Sequence, residues 1–335
     1  MADPLRFLII GSGNIAGTYV EALKKVPGAR LVGVVSRSGR RPSRLAADAD
    51  VEVATSLGAV RTPFDAVVVA TPNGMHREGI LEAASMGRHV LTEKPLEISR
   101  EAADTCIEAC RRAGVTLGVC FQRRMSPDNA AVKDLLAAGA LGRVYAADLA
   151  VKFFREQSYY DSAPYRGGWA IDGGGPFMQQ ASHQVDLYGW FFGRPRSIKS
   201  FTATLAHRME AEDHGAAILQ HENGMIGTIV ASTVARPGFP ARLEIHAERG
   251  SVIMENDLVT RWAVEGVSNP SRAAAPAVHS GAGAGGAAVS DTAGHEAILS
   301  DFVRAVREKR PPAVSGEAAL LATELILEIY RAAKG

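Results

Sequence analysis

A chain of 335 residues is long for one hydrophobic core and predicts about two domains. Hydrophobic residues make up 47% and charged residues 22%, and Lys+Arg 37 against Asp+Glu 36 leaves a formal net charge of +1. That balance excludes a surface built to neutralise nucleic-acid phosphates, and no apolar run nears the ~20 residues of a membrane span.

The N-terminal MADPLRFLIIGSG lacks the basic region of a signal peptide. Cys106, Cys110 and Cys120 are too few for a disulfide framework, and no second pair completes a zinc site. The expectation is buried thiols, no metal and a cytoplasmic protein.

Along the first 122 residues strand and helix signals alternate, the pattern of a doubly wound parallel sheet. RFLIIG (6–11) is a strand closed by glycine, GTYVEALKKV (17–26) a helix and ARLVGVVS (29–36) a strand. PSRLAADA (42–49) reads as a short helix. DAVVVAT (65–71) is apolar throughout, as a strand covered on both faces requires. HREGILEAASMG (76–87) is a helix, HVLTE (89–93) a strand, 99–114 a helix and VTLGVCF (115–121) the last strand.

After Gln122 the character changes. A helix at 126–138 leads into strand-rich runs without intervening helices, one carrying ENG as a hairpin turn, so a large, open and mainly antiparallel sheet is expected. PFMQQASHQVDLYGWFFG (176–193) reads as one apolar helix within this region. Residues 271–291 are Gly/Ala-rich and aperiodic and read as a mobile loop, and two helices end the chain. The domains are therefore 1–122, an α/β Rossmann-type unit, and 123–335, an α+β unit for substrate and oligomer contacts, its last helix able to pack near the first.

FLIIGSGNIAG places Gly11-x-Gly13-x-x-Ala16 directly after a strand and at the start of a helix. Gly11 permits the turn, Gly13 lets the backbone approach a pyrophosphate, and Ala16 allows close helix–strand packing. Asn14 and Ile15 open the helix, whose amides and dipole favour phosphate. Ser36 and Arg37 end the second strand, with Arg41 close behind and no carboxylate. A hydroxyl and guanidinium groups there suit a 2′-phosphate, so NADP(H) is preferred over NAD(H). Thr71, Pro72, Asn73 and His76 stand at the carboxyl edge of the third apolar strand, where ligands bind in such sheets; His76 reads equally as a surface helix residue.

GSGNIAG, ATPNGMH, HVLTEKP and DGGGPFMQQASHQVD occur in that order and spacing, and with the C-terminal HEAILSDFVRAVREKR they resemble the glucose-fructose oxidoreductase/inositol dehydrogenase (Gfo/Idh/MocA) family over nearly the whole chain. The resemblance implies a Rossmann domain, an open-sheet domain and substrate held between them. It implies that Lys94 of Glu93-Lys94-Pro95 is catalytic and that the Lys94–Pro95 bond is cis. It also implies that His183 is the acid/base group. Imidazole, with an unperturbed pKa of about 6.5, can take a hydroxyl proton as hydride leaves the same carbon. Glu93 and Lys94 are also expected to contact the cofactor; Glu93 can hold Lys94, and Asp186 can orient His183. Where the family places Asp or Asn, this chain has Gln179, which can bind a sugar hydroxyl but cannot accept a proton.

Gln122 and Arg166 are further candidates for substrate contact. The expected function is NAD(P)-dependent hydride transfer to or from a sugar, polyol or related molecule. The alternatives are a non-catalytic dinucleotide-binding regulator and a hydrolase with tightly bound nicotinamide. An apolar sheet face with Ile218, Ile226 and Ile229 predicts a homodimer or homotetramer through the open sheet.

Overall fold

The computed structural model describes residues 3–270 and 291–335, so all but Asp291 of the expected loop lies outside the described residues. The chain divides into two compact units, Met1–Gln122 with Asp291–Leu320, and Arg123–Ser290 with Leu321–Gly335.

The first unit is built on β1 (Leu5–Ile10), α1 (Asn14–Lys25), β2 (Ala29–Val35), β3 (Glu52–Ala54), β4 (Ala66–Val69), α2 (His76–Ser85), β5 (His89–Thr92), α3 (Arg100–Ala113) and β6 (Leu117–Val119). The sheet runs β3-β2-β1-β4-β5-β6, with every pairing parallel. β4 is buried at all four positions because helices cover both faces. α3 begins at Ser99, whose hydroxyl accepts from Ala102 N at 3.2 Å, and ends at Gly114 with φ 66. The helix expected at 42–49 is absent. Only Pro42 and Leu45 are buried there, too narrow an apolar stripe to hold so short a helix in place.

Residues 291–320 belong to this unit, a correction to the expected boundary. α7 (Ala293–Glu308) buries His295, Ile298, Leu299, Phe302 and Val303. The Phe302 ring lies 6.2 Å from that of Phe7, and Lys25 Nζ donates to Glu296 at 2.9 Å. A helix with that apolar face goes where it can be buried, whatever its distance in sequence.

The second unit contains α4 (Pro127–Ala137), β7 (Val144–Lys152), α5 (Gln157–Asp161), α6 (Ser182–Phe192), β8 (Ser197–Ala203), β9 (His214–Gln220), β10 (Ile226–Ser232), β11 (Arg242–Ala247), β12 (Gly250–Glu255) and β13 (Leu258–Val264), plus the latter part of α8 (Gly316–Ala333). Its sheet runs β13-β12-β11-β7-β10-β9-β8, antiparallel except for the β10–β7 pair. The ENG hairpin joins β9 to β10 with Gly224 at φ 84. One sheet face (Leu149, Val151, Leu219, Ile229) packs on Phe177, Val185, Tyr188 and Ile329.

Two expectations change here. Ile229 pairs with Ala217 on this inner face and is fully buried, so only Ile218 and Ile226 face outward. The helix expected over 176–193 is regular only from Ser182. Before it, Ala181 N donates to Pro176 O at 2.8 Å, five residues back, a wide π-type turn.

Candidate active site

The order of the first sheet reverses between β1 and β4, and ligands of open α/β sheets bind outside the carboxyl ends at such a point. Ladder bonds align those ends, with Ala70 N donating to Ile10 O at 2.8 Å and Glu93 N to Val69 O at 2.8 Å. Gly11 has φ 121, and a Cβ there would sit 2.5 Å from Ala70 O, so only glycine fits. At Gly13, the N-cap of α1, an added Cβ would meet no heavy atom within 4 Å. Gly13 and Asn14 are exposed, Ile15 is part-buried and Ala16 fully buried. The first turn of α1 has no acidic residue. Open space before helix amides of that polarity fits a pyrophosphate.

At the end of β2, Ser36 is buried, its hydroxyl 3.1 Å from that of Ser12 and 3.2 Å from that of Ser38. Arg37 is exposed and paired with Glu78, and Arg41 donates to Ala46 O at 3.0 Å. After β4, Thr71, Pro72 and Asn73 are part-exposed at the edge.

Two of the expected cofactor contacts turn inward. His76 is fully buried, its Nδ1 2.9 Å from Pro95 O and its Nε2 3.0 Å from Thr71 O. It ties the turn after β4 to the turn after β5 and presents no surface to a ligand. A neutral imidazole carries one N–H, so serving both carbonyls requires the cation. Burial opposes that and pulls the pKa down, against Glu97 and Glu93. Glu93 is also buried. Its Oε1 accepts from Tyr19 Oη at 2.8 Å and lies 3.7 Å from His295 Nε2, and its Oε2 accepts from Lys94 N at 3.2 Å. Burial works against its ionisation, but His295, Lys94 and Tyr19 outweigh that and hold the carboxyl below its ordinary range.

Lys94 itself is only part-buried, and the Lys94–Pro95 bond is cis. Glu97, unremarked in the sequence, accepts from Arg77 N and Ile98 N at 2.9 Å each and so fastens the same turn to α2. Gln122 is part-exposed, its Oε1 3.7 Å from Cys120 Sγ.

In the second unit, residues 172–189 are buried except Gln179, Gln180 and His183. The first and last are expected site residues, and Gln180 was not foreseen. Gln179 Nε2 donates to Asp172 O at 2.9 Å. The wide turn means that Gln179 and His183 do not share one regular helix face. Asp186 does not serve as expected, since both its oxygens are taken by Arg124, at 2.8 and 2.6 Å. Burial pushes that carboxyl up to about 6 against the pull of Arg124.

The turn leading to Gln179 is anchored by Glu212, which accepts from Gly175 N at 3.0 Å, Phe177 N at 3.3 Å and Tyr330 Oη at 2.8 Å. Burial raises its carboxyl to about 7. Arg166 is part-buried and stacks over Tyr159, 4.4 Å from the ring centroid.

Residues 5–121 match the model of the oxidoreductase family with an NAD-binding Rossmann fold, and residues 129–253 that of the GFO/IDH/MocA C-terminal domain. The WlbA dehydrogenase of Bordetella pertussis, solved with NADH and UDP-GlcNAcA, is 31% identical with a TM-score of 0.85, over 99% of this chain and 97% of that one. The inositol 2-dehydrogenase of Rubrobacter xylanophilus is 30% identical over 73% of this chain and 69% of its own length. Two scyllo-inositol 2-dehydrogenases of Bacillus subtilis are each 26% identical, one named for NAD(+), over 76% of this chain and 75% of its own, and one for NADP(+), over 75% and 76%. With its two-unit architecture, dinucleotide edge and Glu-Lys-Pro turn, the chain belongs to the Gfo/Idh/MocA family of NAD-binding oxidoreductases.

Proposed function

We propose that the chain catalyses hydride transfer between NADP(H), in preference to NAD(H), and the hydroxyl or carbonyl carbon of a sugar, polyol or sugar derivative. One observation carries the reading: Gly11 and Gly13, Thr71 to Asn73, and Lys94 all stand at the carboxyl edge of one parallel sheet, around its switch point. When bound, the dinucleotide supplies or accepts the hydride; the chain's residues hold it and manage the proton.

Gly11, Gly13, Asn14 and Ile15 would receive the pyrophosphate, and Thr71, Pro72 and Asn73 would border the site. Arg37, Arg41 and the strand end at Ser36 would take the 2′-phosphate. The Arg37–Glu78 pair is solvent-exposed, and such pairs hold by about 0–1 kcal/mol, so a phosphate can displace the carboxylate. Lys94 Nζ would contact the substrate oxygen and stabilise its developing negative charge, and the His183 imidazole would accept the proton. Gln179 and Gln122 would hydrogen-bond hydroxyl groups. Since Gln179 cannot take a proton, His183 would carry that task without a carboxylate relay.

The relatives named for inositol and the neighbour holding UDP-GlcNAcA support a polyhydroxylated substrate. We further propose that a second copy of the chain covers the outer sheet face, where Phe201 is 85% exposed beside Ile218 and Ile226. Phe201→Glu should lower the mass seen by sedimentation; unchanged mass would move the interface elsewhere.

The primary test is calorimetric titration with NADPH and NADH, after checking for co-purifying dinucleotide. Saturable binding, tighter for NADPH, followed by reduced-cofactor turnover with sugars or polyols, is the expected result. No binding of either would end the oxidoreductase reading, and tighter NADH would end the 2′-phosphate assignment.

A further inference from the structure

We infer that Glu78, on α2, is a specificity-determining residue for the dinucleotide. Its carboxylate stands in for the acid that the end of β2 lacks, pairs with Arg37 while the adenosine ribose carries no phosphate, and yields Arg37 to a 2′-phosphate. This rests on the oxidoreductase reading and deepens it: the NADP(H) preference becomes a competition between a protein carboxylate and a ligand phosphate for one guanidinium.

The end of β2 is tied to the glycine turn. Gly11 N donates to Val35 O at 2.8 Å, and Ser12 Oγ lies 3.1 Å from Ser36 Oγ. Gly39 N donates to Ser36 O at 2.8 Å, which closes a tight turn with Gly39 at φ 66. Arg37 therefore stands just past a strand end that adjoins the proposed pyrophosphate site, where an acid reads the ribose of NAD in such folds. Residues 36–47 hold four arginines and no Asp or Glu. The carboxylate arrives from elsewhere in the chain. Glu78, 41 positions after Arg37 and in the first turn of α2, forms the ion pair with it.

That placement gives the carboxylate two effects. A ribose with both hydroxyls free can donate to it, as to the acid usually found at this strand end. A dianionic 2′-phosphate is instead repelled by it, and meets the fork of Arg37 only after Glu78 lets go. Both side chains are largely exposed, so the pair is weak and the exchange is easy. The plain structural account is that an acid in the first turn suits the helix dipole. Glu78 satisfies that account without any partner beyond β2, and the account predicts no change in the choice of dinucleotide.

The test is calorimetry on the full-length protein with NADPH, NADH, adenosine 2′,5′-bisphosphate and 5′-AMP, alongside thermal unfolding. The proteins are wild type, Glu78→Gln, Glu78→Ala, Arg37→Ala and the double variant Arg37→Ala with Glu78→Gln. Glu78→Gln should tighten NADPH and the bisphosphate by about two- to fivefold, the gain from releasing one exposed ion pair. It should weaken NADH and 5′-AMP by a similar factor, because a charged acceptor for the ribose hydroxyls becomes neutral. The ratio of NADPH to NADH affinity then rises at least about fourfold. Glu78→Ala should move the ratio the same way. Without Arg37, Glu78→Gln should no longer tighten NADPH.

A ratio within about twofold of wild type in both Glu78→Gln and Glu78→Ala overturns the assignment, even where Tm falls, because only the helix role is then left. A gain in NADPH affinity that survives in full beside Arg37→Ala also overturns it, since Glu78 would then repel the phosphate without occupying Arg37. Either result, with a dinucleotide bound by wild type, leaves the oxidoreductase reading standing. Wild type that binds neither dinucleotide strikes that reading and this one with it.

Discussion

Replacing Gly13 by alanine separates the cofactor role of this turn from its structural role, and Gly11→Ala serves as the control. Gly13 has φ −73 and ψ −176, extended backbone that alanine adopts freely, and its new Cβ would meet no heavy atom within 4 Å. The folded state should lose only the N-cap difference between glycine and alanine, about 0.5–1 kcal/mol. In a domain of this size that lowers Tm by about 1–4 °C. The methyl would occupy the space through which a pyrophosphate reaches the first-turn amides. Losing two hydrogen bonds to a charged group at about 1.5–3 kcal/mol each weakens dinucleotide binding by roughly 100-fold or more. Gly11→Ala reverses the pattern. With φ 121 and a Cβ 2.5 Å from Ala70 O, backbone strain and overlap together cost about 2–6 kcal/mol, so the first unit should lose stability before affinity can be read. Thermal unfolding and calorimetry on both variants make the comparison. Gly13→Ala with Tm lowered by no more than about 4 °C and affinity within a few-fold of wild type would refute the placement of the pyrophosphate.

Lys94→Ala should lower kcat by about 100-fold or more while dinucleotide binding changes little, because Lys94 is assigned to the substrate oxygen; steady-state kinetics with parallel titration would contradict this if turnover survived. Arg37→Ala should weaken NADPH by about tenfold and leave NADH within about twofold, as loss of one exposed charge-assisted contact predicts, and equal weakening would remove the residue from the 2′-phosphate site. Glu212→Gln should flatten the pH dependence of stability. The carboxyl is raised from 4.5 to about 7 in the folded state, so folding binds an extra proton between those values. Its contribution is full below 4.5 and lost as pH rises through 7, about 3 kcal/mol in all. Denaturant midpoints across that range should fall less in the variant; parallel slopes would show that Glu212 does not titrate there.

The first unit was legible because burial on both faces of a parallel sheet leaves apolar runs that end where the ligand edge begins. RFLIIG, DAVVVAT and HVLTE each mark such an end, and the residues just after them are those now found at the edge. The short helix at 42–49 was misread because local propensity says nothing of whether a partner surface exists. The helix at 176–193 was overextended for a related reason. An apolar sequence allows a helix, but the anchoring of Gly175 and Phe177 amides by Glu212, thirty-odd positions downstream, sets where regular pairing begins. No local pattern contains that information.

His76 and Glu93 show the limit most clearly. Both stand at the strand ends where cofactor contacts were expected, and both turn away from the edge into the protein. An edge position fixes where a residue begins, not which way its side chain goes. That direction is decided by unpaired partners elsewhere, the carbonyls of Thr71 and Pro95 for His76, and Tyr19 and His295 for Glu93. His295 comes from α7, some two hundred residues beyond Glu93 in the chain, so its part in the turn is visible only once burial has brought that helix home. A buried carboxylate with three partners, one of them the amide of Lys94 itself, is costly to leave in any other arrangement. The lysine therefore inherits its orientation from a network assembled by the whole first unit, and substitutions at Tyr19 or His295 bear on Lys94 without either residue reaching the ligand edge.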